Sequence, residues 1–303
     1  MSEVVNSNQK INEKIENQWI IAWRRLKKNK LAMVGLIVMI ALIIIAIIGP
    51  IIYPQNWEST NLGNTFAPPS AQHPLGTDGV GRDVLARVMY GGRISLSVGV
   101  VAVVIQVIIG TALGIMSGYY GGKIDSFIMR IVDVLMCFPF LPLLMMLAAV
   151  MSSLKVDPKY RMYVVMFAIG IIGWPGLCRL IRGQILSLRE QEFMQAAEAL
   201  GLSDNRKMFV HLLPNTLAVI IVSATLGVGG AIMTESGLSF LGLGVMPPVP
   251  SWGNMIQAAQ DPYALQFRPW LWVPPGVCIF LTVMAINLFG DGLRDALDPK
   301  LKV

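Results

Sequence analysis

Charge is what this sequence has least of. Of its 303 residues only 14% are Asp, Glu, Lys or Arg, whereas 54% are hydrophobic. A soluble domain carries about a quarter charged residues, so the composition excludes an ordinary water-facing surface and points to an integral membrane protein. Histidine and cysteine are scarcer still, with two and three residues. His73 and His211 fall on opposite sides of the expected membrane, and Cys137, Cys178 and Cys278 lie in or beside apolar runs. This excludes a Cys/His metal cluster and a disulfide framework, and the cysteines read as small buried residues. No metal site and no catalytic residue is expected, since no nucleophile–base pair or carboxylate pair converges. The nearest imitation of a phosphate loop, GYYGGKI at Gly118–Ile124, is one residue short between its glycines and has Ile124 where Ser or Thr is required. The chain is therefore not expected to hydrolyse ATP or to bind a cofactor.

Long uncharged runs dominate what is present. No charged residue occurs between Lys30 and Glu58, Arg93 and Lys123, Asp133 and Lys155, Arg161 and Arg179, Lys207 and Glu235, or Arg268 and Asp291. Each holds the roughly 20 apolar residues that cross a hydrocarbon core of about 30 Å. The expected spans are residues 31–52, 94–116, 127–151, 163–181, 216–238 and 270–289, all helical because an open strand in lipid leaves its backbone unsatisfied. The first is expected to be retained, being too long for a signal sequence and lacking a small-residue cleavage site. Most of the 24 Lys and Arg residues fall on the side of the N-terminus, so both ends are placed in the cytoplasm. The net charge of +6 then reflects topology and not nucleic-acid binding. The chain divides into a cytoplasmic tail (1–30), a first transmembrane helix (31–52), an extracytoplasmic loop (53–93), a core of five transmembrane helices (94–289) with a cytoplasmic loop (182–215), and a cytoplasmic tail (290–303).

Several local patterns stand out. In QWIIAWRRLKKNK, Trp19, Ile20, Trp23 and Leu26 can share one helical face beside five basic residues, as in a helix lying on the cytoplasmic membrane surface. Gly110, Gly114 and Gly118 form a tandem small-xxx-small stripe that lets another helix approach closely. Pro139, Pro142, Pro175, Pro274 and Pro275 fall in or at the edges of spans, where proline kinks a helix. The outer loop ends in HPLGTDGVGRDVLARVMYGGRIS, whose Asp78, Arg82, Asp83 and Arg87 can pair locally or meet an external partner. Asp133 is expected to pair with Arg130, one turn away. Glu235 can touch a substrate on a pathway or hydrogen-bond neighbouring hydroxyls.

The polar stretch QEFMQAAEALGLSDNRKMFVHLLPN interrupts this apolar chain at Gln191–Asn215. It predicts a cytoplasmic helix–turn–helix. Phe193, Met194, Ala197 and Leu200 cluster on one side of the first helix, and Gly201 ends it. Ser203 or Asp204 caps the second helix, and Pro214 stops it. The low bulk of Ala196 and Ala197 suits close docking by another protein, while an amphipathic hairpin that holds two spans together fits the pattern equally.

At these residues the sequence resembles the EAA motif of ABC-importer permeases: Ala196, Ala197, Gly201, Leu213 and Pro214 match in spacing, with Gln195 where Glu is usual and His211 where Ile is usual. HPLGTDGVGRDVLARVMYGGRISL, ESGLSFLGLGVMPPVPSWGNM and GDGLRDALDPKL likewise resemble the C-type permease subunit of oligopeptide and dipeptide importers, so the likeness covers nearly the whole chain. It implies a type I ABC importer permease fold: six transmembrane helices, all α, in the bacterial or archaeal cytoplasmic membrane. It also implies a B-type permease partner, two ATPase subunits that hold ATP and magnesium, and an extracytoplasmic binding protein that delivers peptide. The insert would be the coupling helix, assigning Gln195, Ala196, Ala197, Glu198, Leu200, Gly201, Asp204, Leu213 and Pro214 to ATPase coupling. Asp78, Arg82, Asp83 and Arg87 would meet the binding protein. Relatives that move nickel, metal chelates or glutathione share these motifs, and an ion-coupled secondary transporter is the reading from a different class.

Overall fold

The computed structural model describes residues 18–154 and 157–298, so residues 1–17, 155–156 and 299–303, which carry part of both expected tails, lie outside the described residues. Helices α1 (Gln18–Lys28) and α2 (Lys30–Ile52) are separated by Asn29 alone, whose side chain accepts from the Ala32 amide and caps α2. Helix α3 (Val84–Tyr120) follows a structured outer loop. Its 37 residues extend roughly 55 Å at 1.5 Å per residue, more than a hydrocarbon core requires. Next come α4 (Gly122–Cys137), α5 (Phe140–Ser153), α6 (Pro158–Gly173) and α7 (Pro175–Arg189). The short α8 (Glu192–Ala199) precedes α9 (Leu213–Phe240), and an outer segment with α10 (Trp252–Ile256) and α11 (Pro262–Phe267) leads to α12 (Val273–Leu297). No strand occurs among the described residues.

Five helical stretches are long and apolar enough to cross a membrane, and the bent pair α4–α5, counted as one span, makes a sixth. That pair turns by 80° where Phe138 adopts extended geometry ahead of Pro139, because proline disfavours the α region for the residue before it. Long-range contacts fit six crossings. The outer end of α3 meets the 241–272 segment through Trp252, whose indole donates to Val88 O at 2.9 Å. The inner end meets the polar insert through Tyr119 and Asp204.

Two expectations about boundaries and kinks change. Residues 84–93 are helix rather than loop: Asp83 caps α3, and the charges inside it find carbonyl acceptors. Arg93 Nε donates to Ala46 O at 2.7 Å, and Arg87 lies near Trp57 O and Pro248 O at 3.4 Å each. Pro274 and Pro275 start α12 without kinking it, since the first turn of a helix has no amide partner to lose. Of the five prolines expected in or beside spans, Pro139 and Pro175 stand at breaks between helices.

Helix α3 is the hub, packing against α7, α9, α6 and α2. The Gly110–Gly114–Gly118 stripe lies directly on α7. A Cβ at Gly114 would stand 2.8 Å from Cys178 O, and one at Gly118 would stand 2.7 Å from Ile185 Cβ. One apolar cluster fills the outer half, with Val98, Ala102, Ile169 and Leu238. A second, with Ile115, Ile181, Ile185, Met194, Met208 and Leu212, fills the inner half and reaches into the polar insert.

Candidate functional site

The insert folds as a hairpin whose first arm, α8, ends in a glycine cap. Gly201 has φ +66°, its amide bonds Glu198 O at 2.9 Å, and the Leu202 amide bonds Ala197 O at 3.2 Å. These are the paired bonds of a Schellman cap, which glycine adopts without Cβ strain. Met194 and Ala197 are each 4% exposed and lock α8 onto the core, while Gln195, Ala196, Glu198 and Leu200 face outward. The two alanines thus part company, Ala197 facing its own protein and only Ala196 presenting a low-bulk surface. Leu200 also differs from expectation, being 78% exposed beyond the end of the buried face.

The second arm differs from its sequence reading as well. Ser203 occupies the cap position with no side-chain cap bond, and Asp204 accepts from Tyr119 Oη at 2.6 Å while pairing with Lys207 Nζ at 3.2 Å. Pro214 does not stop the helix. The chain is helical from Asp204 through a π-segment, Lys207–Leu212, into α9. A proline ring clashes with the carbonyl four residues back in a straight α-turn, and the wider π-turn just before it relieves that clash. The Leu213 amide accordingly reaches back to Met208 O, and Asn215 Nδ2 donates to His211 O at 2.7 Å.

Charged groups brace the hairpin against α3, and α7, which leads into it, against α3 and α4. Arg189 Nη1 donates to Gly118 O at 3.4 Å and Tyr119 O at 3.2 Å, and Lys207 sits 5.6 Å from the Tyr119 ring centre. About two turns deeper along α7, Arg182 grips Asp125 with two bonds, 2.5 and 2.6 Å, and Ser117 Oγ donates to the same carboxylate. Asp133 pairs with Arg179 of α7 at 2.6 Å, not with Arg130, because helix packing brings α7 alongside α4.

On the outer face, Asp78, Arg82, Asp83 and Arg87 form an internally paired loop. Asp78 accepts from the Val80 and Arg82 amides at 3.0 Å each and from Arg82 Nε at 2.7 Å, with Arg87 Nε 3.6 Å away. Asp83 is buried: it caps α3 through the Ala86 amide at 2.8 Å, and meets His73 Nδ1 at 2.8 Å and Tyr53 Oη at 3.1 Å. Burial and the Asp83 carboxylate push the Tyr53 hydroxyl up to about 12, so it stays a donor. Arg87 is 4% exposed. Asp83 therefore holds the loop together and has little surface for a partner, whereas Asp78, Arg82 and the largely buried Arg87 line a cleft of about 350 Å³ with Phe66 and Gln257.

Glu235 does not open on a pathway within this chain; it is fully buried. Ser239 Oγ donates to it at 2.6 Å, and Ser95 Oγ and Ser236 Oγ lie at 3.3 and 3.5 Å. Ser95 Oγ accepts from the Trp252 amide and Ser239 Oγ accepts from the Val245 amide, at 3.1 and 2.9 Å. The carboxylate thus ties α9 to α3 and to the outer segment. The glycines nearby have the same origin: a Cβ at Gly92 would meet Trp252 at 2.9 Å, and one at Gly253 would meet Ser236 Cα at 2.6 Å.

Comparison with known proteins follows this geometry. The binding-protein-dependent transport system inner membrane component family matches residues 110–303, and the N-terminal transmembrane domain of oligopeptide transport permease C matches residues 17–69. The chain belongs to this permease family. A dipeptide transport system permease protein of Alkalihalophilus pseudofirmus is 45% identical over 284 residues, 94% of this chain and 90% of that relative. An oligopeptide transport system permease protein of Bacillus subtilis is 42% identical over 294 residues, 97% and 93% of the two chains. One from Haemophilus influenzae is 41% identical over 286 residues, 93% and 88%. The type I ABC importer permease fold read from the sequence is that of this family, and the permease is a multi-pass membrane protein.

Pattern reading of the permease sequence missed Tyr119, Arg189, Ser95 and Trp252. Tyr119 and Arg189 brace the hairpin from the ends of α3 and α7, and Ser95 and Trp252 complete the Glu235 network. Each acts across at least 70 residues of sequence, and no local spacing signals such a pairing. The Gly91–Gly92 pair and Gly253 were the one available hint, since glycine marks close backbone approach.

Proposed function

We propose that this chain is the non-catalytic permease subunit of an ATP-driven importer of oligopeptides or dipeptides. In this reading it pairs with a second permease, receives peptide from an extracytoplasmic binding protein, and couples to two ATPase subunits through the α8 hairpin. ATP and magnesium belong to those ATPases. The observation that carries the reading is the hairpin itself. Met194 and Ala197 are locked into the core and Tyr119–Asp204 braces the second arm, while Ala196, Glu198 and Leu200 stay outside. A rigid projection of this kind passes a push from a partner to α7 and α9, and a ligand-driven cycle requires the partner's contact to favour one permease state over another. The names of the relatives support peptides as the cargo.

Reconstitution tests this reading. The chain is placed in liposomes with its partner permease, ATPases and binding protein, and labelled-peptide uptake is followed with nickel and glutathione as competitors. Uptake should require ATP, resist both competitors, and fall at least about tenfold in Ala196→Trp, whose exposed site leaves folding and insertion normal. Gradient-driven uptake by the chain alone, or full uptake in Ala196→Trp, would overturn the reading. Displacement of peptide by nickel or glutathione would reassign the cargo.

A further inference from the structure

Helix α1 has three sides with different surroundings. Ala22 and Leu26 are buried against Ala32 of α2 and Ala296 of α12, which fixes how the helix is rolled. Next to this seam stand Trp19, Ile20 and Trp23, 48%, 54% and 48% exposed. Arg24, Lys27 and Lys28 are exposed farther round, and Lys30 opens the first transmembrane helix one residue beyond Asn29. Since α2 enters the membrane at that point, α1 is held at the level of the headgroups. Its surface matches that layer: indole rings favour the membrane interface, and basic side chains meet lipid phosphates while their stems lie along apolar surface. Lys27 Nζ sits 5.3 Å from the Trp23 ring centre, so cation and indole occupy one spot. A second feature ties this surface to the rest of the fold. Arg25 Nη1 donates to Asp298 O at 3.2 Å, strapping α1 to the end of α12.

We propose that α1 is a lipid-binding strap that takes the phosphate headgroups of anionic lipids in the cytoplasmic leaflet and so clamps the inner ends of the first and last transmembrane helices. The occupant is a lipid, not a soluble partner, because the exposed tryptophans and the cations share the depth at which α2 begins. Occupancy holds α1 against Ala32 and Ala296, and through Arg25 it holds the end of α12, which packs along α2 and α9. The inference rests on the transmembrane topology and does not require the cargo or coupling assigned above.

The test uses the full chain in nanodiscs of phosphatidylcholine with and without phosphatidylglycerol. Each basic group near an anionic surface contributes enough that neutralising two costs about 30-fold in headgroup preference. In wild type, brominated phosphatidylglycerol should quench tryptophan emission more strongly than brominated phosphatidylcholine, and phosphatidylglycerol should raise the Tm. Lys27→Gln/Lys28→Gln should lose both preferences while keeping the wild-type Tm in pure phosphatidylcholine. Lys27→Arg/Lys28→Arg should restore them. Equal quenching by the two lipids in wild type, or an undiminished phosphatidylglycerol effect in the Gln variant, would overturn the proposal. Inorganic phosphate at equal concentration should produce no Tm shift; a shift would mean a soluble-anion site and equally overturn it.

Discussion

Glycine in this protein answers to two different demands, and the residues show which applies where. At Gly118 the demand is space: a Cβ would stand 2.7 Å from Ile185 Cβ and 3.0 Å from Arg182 O. Overpacking of this kind costs about 1–3 kcal/mol, so Gly118→Ala should lower the Tm. Gly183, in the middle of α7, has nothing within 4 Å of an added Cβ. Gly183→Ala should therefore be neutral or stabilise by up to about 1 kcal/mol, the difference in helix propensity. Thermal unfolding of both variants decides whether contact or glycine count matters. At Gly201 the demand is conformational, φ +66° with open space around it. Gln195 raises a separate question, since the resembling motif usually has Glu there. Its amide donates to Glu190 O at 3.4 Å, a bond that a carboxylate cannot make. Gln195→Glu should loosen α8 by about 0.5–1 kcal/mol, read as faster amide exchange over Glu192–Ala199 with the global Tm unchanged.

Among elements, the outer segment between α9 and α12 is held least by its own secondary structure and most by what it touches. Trp252 is 2% exposed, its indole bonded to Val88 O and its amide bonded to Ser95 Oγ. Ser251 and Asn254 complete a capping box around it. Trp252→Ala should cost about 3–5 kcal/mol as a core cavity and raise amide exchange across residues 241–272. Tyr263→Ala on the exposed side of α11, which loses only its ring contacts with Phe267 and Arg268, should cost no more than about 1 kcal/mol. The hairpin is the second element whose behaviour depends on its attachment, and here the sequence was legible in part. Gly201 as terminator and Met194 as an inward residue were visible from spacing and type, and the structure places them so. The fate of Pro214 was not visible, because proline ends a straight α-helix but can be carried inside a longer one when the turn before it widens, and residue spacing does not distinguish the two.

For the whole molecule, the distribution of Lys and Arg makes a prediction about sidedness. In a variant with Cys137, Cys178 and Cys278 replaced by Ser, a single cysteine at Ser203 should react only with reagents that reach the cytoplasmic face. A single cysteine at Gln72 should react only from outside. Labelling of both from one side would refute six crossings. Hydrophobic run length alone determined the membrane class, the approximate position of the spans and their helical form, because lipid forces the backbone of any apolar stretch of that length to satisfy itself as helix. The charge balance of the loops predicts the orientation by the same local logic. What only the tertiary structure decided is where the few polar groups go. Asp133 pairs with Arg179 and not with its neighbour Arg130, Arg87 and Asp83 turn inward, and Glu235 is sealed among serines from two helices. The physical reason is the cost of an unpartnered charge at low dielectric. That cost favours a partner for each buried charge, but the partner is chosen by which helices pack together.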